Sequence, residues 1–454
     1  MSNIPTLDRS RLESLLQQEE QLFHKDHPKS YKLYQRARKS LHGGVPMLWM
    51  IRWAGSFPIF VKEAKGAHFT DVDGHDYIDF CLGDTGAMTG HSPDATVKAI
   101  TEQIQKGITL MLPYEDVIWV GEELQRRFNL PFWQFALTAT DANRFALRMA
   151  RHLTGRPKIL VFNYCYHGSV DEAFITMDEE GTPMSRLNNL GPQIDPRETS
   201  KVIEFNDIAA LETVLSSRDV AAVLVEPVMT NIGIIHPQPG YHDALRELTR
   251  KYGTYLIIDE THTICTGPGG YTAAYGLQPD FLTLGKPLAG GVPAAIYGFT
   301  EEVAQAFSAK LSVEDSDVSG IGGTLAGNAL SIAAMKATLQ YVLTDEFYSK
   351  AIALQEKFTA GVEGVIKEFE LPWIVKQLGN RSEYWFRPNP PKNGGQAAAA
   401  IDPELDRYMH LYALNRGILL TPFHNMALIS PETTQADVDY HTKVFREAVL
   451  SLFG

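Results

Sequence analysis

Apolar residues first recur at helical spacing: Leu12, Leu15, Leu16, Leu22 and Phe23 fall among charges between residues 8 and 25. This predicts an amphipathic N-terminal helix, which must lie on another element. From Ile59 to Phe80 the pattern shortens, and brief apolar runs alternate with turn residues, notably Asp71-Val72-Asp73-Gly74. That predicts a small antiparallel meander, a vestibule and not a core. From about Pro93 short apolar runs appear without polar alternation: Ile159 to Phe162, Ala221 to Val225, Tyr255 to Ile258, Phe281 to Leu284 and Ala294 to Phe299. They alternate with helix-length segments such as Ala209 to Leu215 and His242 to Tyr252. Strands apolar on both sides are covered on both faces, so a doubly wound α/β domain with a mostly parallel sheet is predicted. After Gly327 long helices dominate (Ala329 to Leu343, Phe347 to Phe369, Pro403 to Asn415, Gln435 to Leu452), which reads as a smaller α+β domain. The expected division is residues 1–80 (helix and meander, part of the small domain and a site entrance), 81–328 (large domain) and 329–454 (C-terminal small domain). Pro388 to Ala400, rich in Pro, Gly, Asn and Ala, reads as an exposed loop.

Composition narrows the partners. The chain has 454 residues, 44% hydrophobic and 21% charged, with a formal net charge of −13. Such a chain has no basic field for nucleic acid or anionic lipid. No run approaches the roughly 18–20 apolar residues of a membrane span. Asp8, Arg9, Arg11 and Glu13 interrupt any signal-peptide pattern. Cys81, Cys165 and Cys265 lie far apart and form no Cys-x-x-Cys pair, which argues against disulfides and structural zinc and for a reducing cytoplasm.

The most informative segment is Tyr255-Leu256-Ile257-Ile258-Asp259-Glu260-Thr261, an apolar strand ending in two acids. Ligands of open α/β sheets sit beyond the carboxyl ends of strands, so Asp259 is placed to face a site, although a helix cap would also explain it. Farther on, Gly285-Lys286-Pro287 sets one lysine among small and apolar residues at another strand end. Apolar surroundings favour the neutral amine, a nucleophile toward carbonyls. A Schiff-base lysine together with a carboxylate that keeps a pyridine nitrogen protonated is what pyridoxal 5′-phosphate (PLP) chemistry requires. A phosphate cradle is offered by Thr138-Ala139-Thr140-Asp141-Ala142-Asn143, which follows an apolar run and opens a predicted helix, Ala142 to His152. Simple N-capping by Thr140 or Asp141 is the alternative there.

With Gly90-His91-Ser92, Tyr166-His167-Gly168, Glu226-Pro227-Val228 and Gly323-Thr324, these segments stand in an order that resembles the class III aminotransferases over nearly the whole chain. Those are fold-type I PLP enzymes and include amine:pyruvate transaminases, β-amino acid aminotransferases and glutamate-1-semialdehyde aminomutase. The resemblance implies an enzyme with Lys286 as Schiff-base lysine and proton carrier and Asp259 as pyridinium partner. It further implies Tyr166 and Thr261 on the two ring faces, Ala139 and Thr140 at the phosphate, and His167 and Glu226 in the cofactor site. Thr324 would reach the phosphate of a neighbouring subunit, hence a homodimer. No metal is expected.

By that alignment, two positions where β-amino acid relatives place arginine fall near Trp49 and Phe423. An entrance of Met47, Trp49, Met50, Trp53 and Phe423 suits a bulky or aromatic amine donor, with pyruvate or another 2-oxo acid as acceptor in ping-pong turnover through pyridoxamine phosphate. Trp49 and Trp53 would equally suit subunit-interface packing. Arg52 and Arg381 are the candidate cations for the acceptor carboxylate. The competing readings are a β-amino acid aminotransferase, an intramolecular aminomutase of the glutamate-1-semialdehyde type, and a non-catalytic binding protein. An intact Lys286 with Asp259 argues against the last.

Overall fold

Every residue of the strand Val220–Val225 is buried, as are all four of Phe281–Leu284. Both lie inside a seven-stranded sheet that runs Phe132–Ala136, Ala295–Phe299, Phe281–Leu284, Tyr255–Asp259, Val220–Val225, Lys158–Phe162, Ser200–Ile203. The computed structural model describes residues 7–191, 194–311 and 319–454. Six strands of this sheet run one way, and Ala295–Phe299 is antiparallel to both of its neighbours. The sheet is thus mixed, with the predicted parallel core. Register aligns the carboxyl ends: Asp259 stands opposite Thr283, and Ile258 opposite Val225.

The chain divides into two units, one made of Met1–Pro93, Ser349–Pro390 and Ala400–Gly454, the other of Asp94–Tyr348 with Pro391–Ala399. Residues 81–93 group with the first unit. Helix Ala329–Tyr341 groups with the second, where it packs on helix Asp94–Ile104; Thr96 Oγ1 and Thr338 Oγ1 are 2.9 Å apart. Pro388 to Ala400, expected as an exposed loop, instead contains a short helix, Gly394–Ala398, capped by the Asn393 side chain. Gly394 lies so close to the Asn163 carbonyl that a Cβ there would stand 2.1 Å from the oxygen. Its glycines thus serve close packing and not flexibility.

In the first unit the N-terminal helix is Arg9–Asp26, with Asp8 capping Ser10 and Arg11 and with Leu12, Leu16 and Phe23 buried. It lies on helix Pro403–Leu414. The meander is Val61–Lys65, His68–Asp71 and Asp76–Asp79, joined in parallel by Ile418–Leu419. It is more than a vestibule, because Phe69 and Tyr77 are buried and their rings stack at 4.7 Å. Next to it, metal-ligating atoms of His27, Asp71 and His75 lie within 4.8 Å of one another. The Tyr77 hydroxyl already lies 2.8 Å from His27 Nε2 and 3.1 Å from Asp71 Oδ2, so internal hydrogen bonds close this group.

Candidate active site

The second unit's chemistry gathers at the carboxyl ends of its sheet. Asp259 ends its strand and is buried. Its Oδ2 accepts from Asn143 Nδ2 at 2.8 Å and lies 2.9 Å from His167 Nδ1, while Oδ1 accepts the Thr261 N–H at 3.0 Å. The Thr283 hydroxyl in turn donates to Asn143 Oδ1 at 2.6 Å, linking the next strand. Burial alone would push this carboxyl up. The His167 contact outweighs it, helped by Thr261 and Asn143, and holds Asp259 down at about 2. Burial likewise disfavours the imidazolium of His167, but Cys165 and Asp259 outweigh it and push His167 up to about 10. His167 was expected at the cofactor; its Nδ1 is turned to Asp259, where it fixes the carboxylate.

Lys286 follows Gly285 at the end of Phe281–Leu284 and takes φ 45°, the left-handed region that non-glycine residues rarely occupy. A Cβ at Gly285 would lie 3.0 Å from Ala139 Cβ and 3.1 Å from Ala139 N, so this turn is seated on the start of helix Ala139–Thr154. That helix begins three residues before the predicted Ala142, because Thr138 is the cap and accepts the Asp141 N–H at 3.2 Å. Thr140 Oγ1 accepts the Ser169 N–H at 3.1 Å. A Cβ at Gly168, whose φ is +77°, would come within 2.0 Å of that oxygen. Tyr166 is 40% exposed, with its ring edge-on to Phe174. Thr261 is buried, and its Oγ1 has no hydrogen-bond partner among the described residues. Glu226, at the end of Val220–Val225, is buried and accepts from the Thr230 hydroxyl. Thr324 is exposed.

Three roles escaped the sequence reading. Asn143, there only the last residue of the cradle segment, holds Asp259, and Thr283 holds Asn143, relations that no local pattern announces. His262 places Nε2 2.8 Å from Lys286 Nζ. Its only signal was an imidazole three residues beyond Asp259.

The first unit carries the expected entrance residues. The Trp49 ring lies 6.4 Å from Trp53 and 5.6 Å from Phe423, and the Arg52 guanidinium stands 5.5 Å from the Phe423 centroid. Arg381, the other candidate cation, is fully buried with Glu383 at 3.6 Å and Asp84 at 4.0 Å. Its charge is answered inside the fold, so it is removed as a carboxylate anchor.

A buried carboxylate kept ionised, a lysine in a strained turn, a helix N-terminus approached by Gly168 and Gly285, and the orphaned Thr261 hydroxyl fit the ring and phosphate of PLP. Fold and site together define a fold-type I PLP-dependent enzyme. The profile of the family described as Aminotransferase class-III matches residues 49–446, and the chain belongs to that family. Glutamate-1-semialdehyde 2,1-aminomutase of Desulfitobacterium hafniense is 30% identical over 432 residues, covering 93% of this chain and 98% of that protein. A crystal structure of a glutamate-1-semialdehyde-aminomutase from Pseudomonas aeruginosa PAO1 superposes with a TM-score of 0.96 at 47% identity, over 98% of this chain and 99% of that one. The same enzyme has been solved as a K286A variant in complex with PMP. An omega-transaminase from Sphaerobacter thermophilus gives 0.85 at 28% identity, over 94% and 98%.

Proposed function

We propose that this PLP enzyme moves an amino group within a small amino-oxo acid of the glutamate-1-semialdehyde type. The observation that carries this reading is the 47% identity to a solved aminomutase across 98% of the chain. In this reading Arg52, whose guanidinium stands 5.5 Å from the Phe423 centroid, is assigned to an anionic group of the substrate.

When bound, PLP supplies the electron sink. Lys286 holds it and carries the proton at its Nζ, and Asp259, fixed by His167 and Asn143, keeps the ring nitrogen protonated. The first turn of helix Ala139–Thr154, with Thr140, takes the phosphate. Thr261 and Tyr166 flank the ring, and Glu226 lies on the floor of the site. In this reading the enzyme is a homodimer whose Thr324 serves the neighbouring subunit. Three buried free cysteines accord with the cytoplasm, and no helix among the described residues is long and apolar enough to cross a membrane.

A second reading, an intermolecular transaminase that passes nitrogen from a bulky or aromatic amine to a 2-oxo acid, is favoured by the Trp49–Trp53–Phe423 cluster. One pair of assays separates them: glutamate-1-semialdehyde alone, followed for the isomer with its amino group on the neighbouring carbon, and 1-phenylethylamine with pyruvate, followed for alanine. Isomerisation without any oxo-acid acceptor is expected. A kcat/KM for the amine at least about tenfold higher, 1.4 kcal/mol in barrier, would overturn the first reading for the second.

A further inference from the structure

Lys286 Nζ and His262 Nε2 lie 2.8 Å apart, and both side chains are partly buried. Two different backbone features produce this meeting. His262 follows the Asp259-Glu260-Thr261 turn, which is pinned by the Thr261 N–H on Asp259 Oδ1 and by the Glu260 N–H on the Thr283 carbonyl at 2.9 Å. The Glu260 carboxylate anchors the next segment by accepting the Thr272 and Tyr271 N–H groups at 2.5 and 3.1 Å. Lys286 enters from the end of the neighbouring parallel strand with φ 45°, a conformation that costs a lysine free energy and so must be enforced by its surroundings. Both turns thus have defined backbone geometry, and together they set a basic nitrogen 2.8 Å from the amine on which the chemistry depends.

We propose that His262 is a positioning residue for Lys286, which accepts a hydrogen bond from the lysine amine whenever that amine is not bonded to the cofactor. Nε2 is then the acceptor and Nδ1 carries the imidazole hydrogen. When Lys286 takes a proton from the substrate carbon, the C–H bond breaks, an N–H bond forms at Nζ, and the electron pair passes to the cofactor. The resulting ammonium has three hydrogens to place, and His262 takes one. This stops the long side chain from rotating away before the proton is returned to carbon. A freely rotating lysine would lose that alignment, and misplacement of about 1 Å costs about a hundredfold in rate.

The inference rests on Lys286 being the cofactor lysine, but not on which amine is turned over. K286A tests that foundation separately: the visible band of the lysine-bound cofactor must disappear. For His262, H262L and H262Q are compared as holoenzymes, because glutamine keeps a hydrogen-bonding end and leucine does not. H262L is expected to lower kcat about tenfold to a hundredfold with KM and PLP affinity within about twofold, and to enlarge the isotope effect from deuterium on the substrate carbon. H262Q should recover most of the rate and the smaller isotope effect. A second readout needs no turnover. In protein labelled with ¹⁵N-histidine and loaded with PMP, K286A should shift the one imidazole resonance that H262Q removes. An unchanged isotope effect in H262L, or a His262 resonance indifferent to K286A, would overturn the proposal. A loss confined to PLP affinity would also overturn it, since that marks a structural role.

Discussion

Asp259 is the residue on which the electronic argument turns. Asn143, His167 and Thr261 surround its carboxylate with donors, so the charged form survives burial. Asp259→Asn keeps the shape but cannot hold a pyridine nitrogen protonated; it should still bind PLP while losing about 10²–10³ in kcat, some 2.7–4 kcal/mol. A rate within a few fold of the parent would remove Asp259 from this role. The pair also sets a pH dependence. Asp259, depressed from 3.8 to about 2, contributes stability that is present above 3.8 and lost as pH falls toward about 2. His167, raised from 6.5 to about 10, contributes stability that is complete below 6.5 and lost as pH rises through about 10. The urea-unfolding difference between the parent and H167Q should therefore be largest between pH 3.8 and 6.5, about 3–5 kcal/mol, and shrink toward pH 10. A difference that is flat over this range would mean that His167 is neutral in the fold. Lys286 and Asp259 were legible because each ends an apolar strand with a group that strands do not favour. Asn143, Thr283 and His262 were not, since their meaning lies in partners 116, 140 and 24 residues away.

At the scale of elements, the sheet was readable wherever apolar runs were unbroken. Lys158–Phe162, Val220–Val225, Tyr255–Asp259, Phe281–Leu284 and Ala295–Phe299 begin and end within a residue of the sequence pattern. Ser200–Ile203, an edge strand with the sequence Ser-Lys-Val-Ile, offers too little pattern and was missed. Gly394 shows the other limit: the sequence tells that a glycine is present, not whether it bends or packs. The same distinction yields opposite predictions for two glycines. Gly168→Ala would put a methyl within 2.0 Å of Thr140 Oγ1 at φ +77°, straining the loop and pushing on the helix start. PLP affinity should fall by about tenfold or more, followed by absorbance titration, because the backbone donors of the cradle lose alignment. Gly364, in helix Asp345–Glu368, has nothing within 4 Å of a would-be Cβ. Gly364→Ala should stabilise the protein by about 0.5–1 kcal/mol, seen as a higher Tm with activity unchanged.

At the scale of the whole molecule, one run of apolar side chains stands where water does not favour it. Met111 and Leu112 are 73% and 76% exposed, flanked by exposed Ile108 and Leu110. This run is tied to the segment that carries Thr324 and the exposed Leu325, because the Ala329 N–H donates to the Ile108 carbonyl at 2.9 Å and the Tyr114 hydroxyl donates to the Ala329 carbonyl at 2.6 Å. In a chain of net charge −13, an apolar patch beside a candidate phosphate ligand argues for an isologous dimer in which each copy shields the patch and receives the other's threonine. Light scattering should give about twice the 50.5 kDa chain mass. The double variant Met111→Asp with Leu112→Asp should separate the chains and weaken PLP together with assembly, because two buried charges replace apolar contact and remove the partner's Thr324. Thr324→Ala should leave the mass at the dimer value and weaken PLP alone, by about 0.5–1.5 kcal/mol for one hydrogen bond or up to about 3 for one to a charged phosphate. If the aspartate pair gives monomers that hold PLP as tightly as the parent does, Thr324 does not act across the interface and each site is complete within one chain.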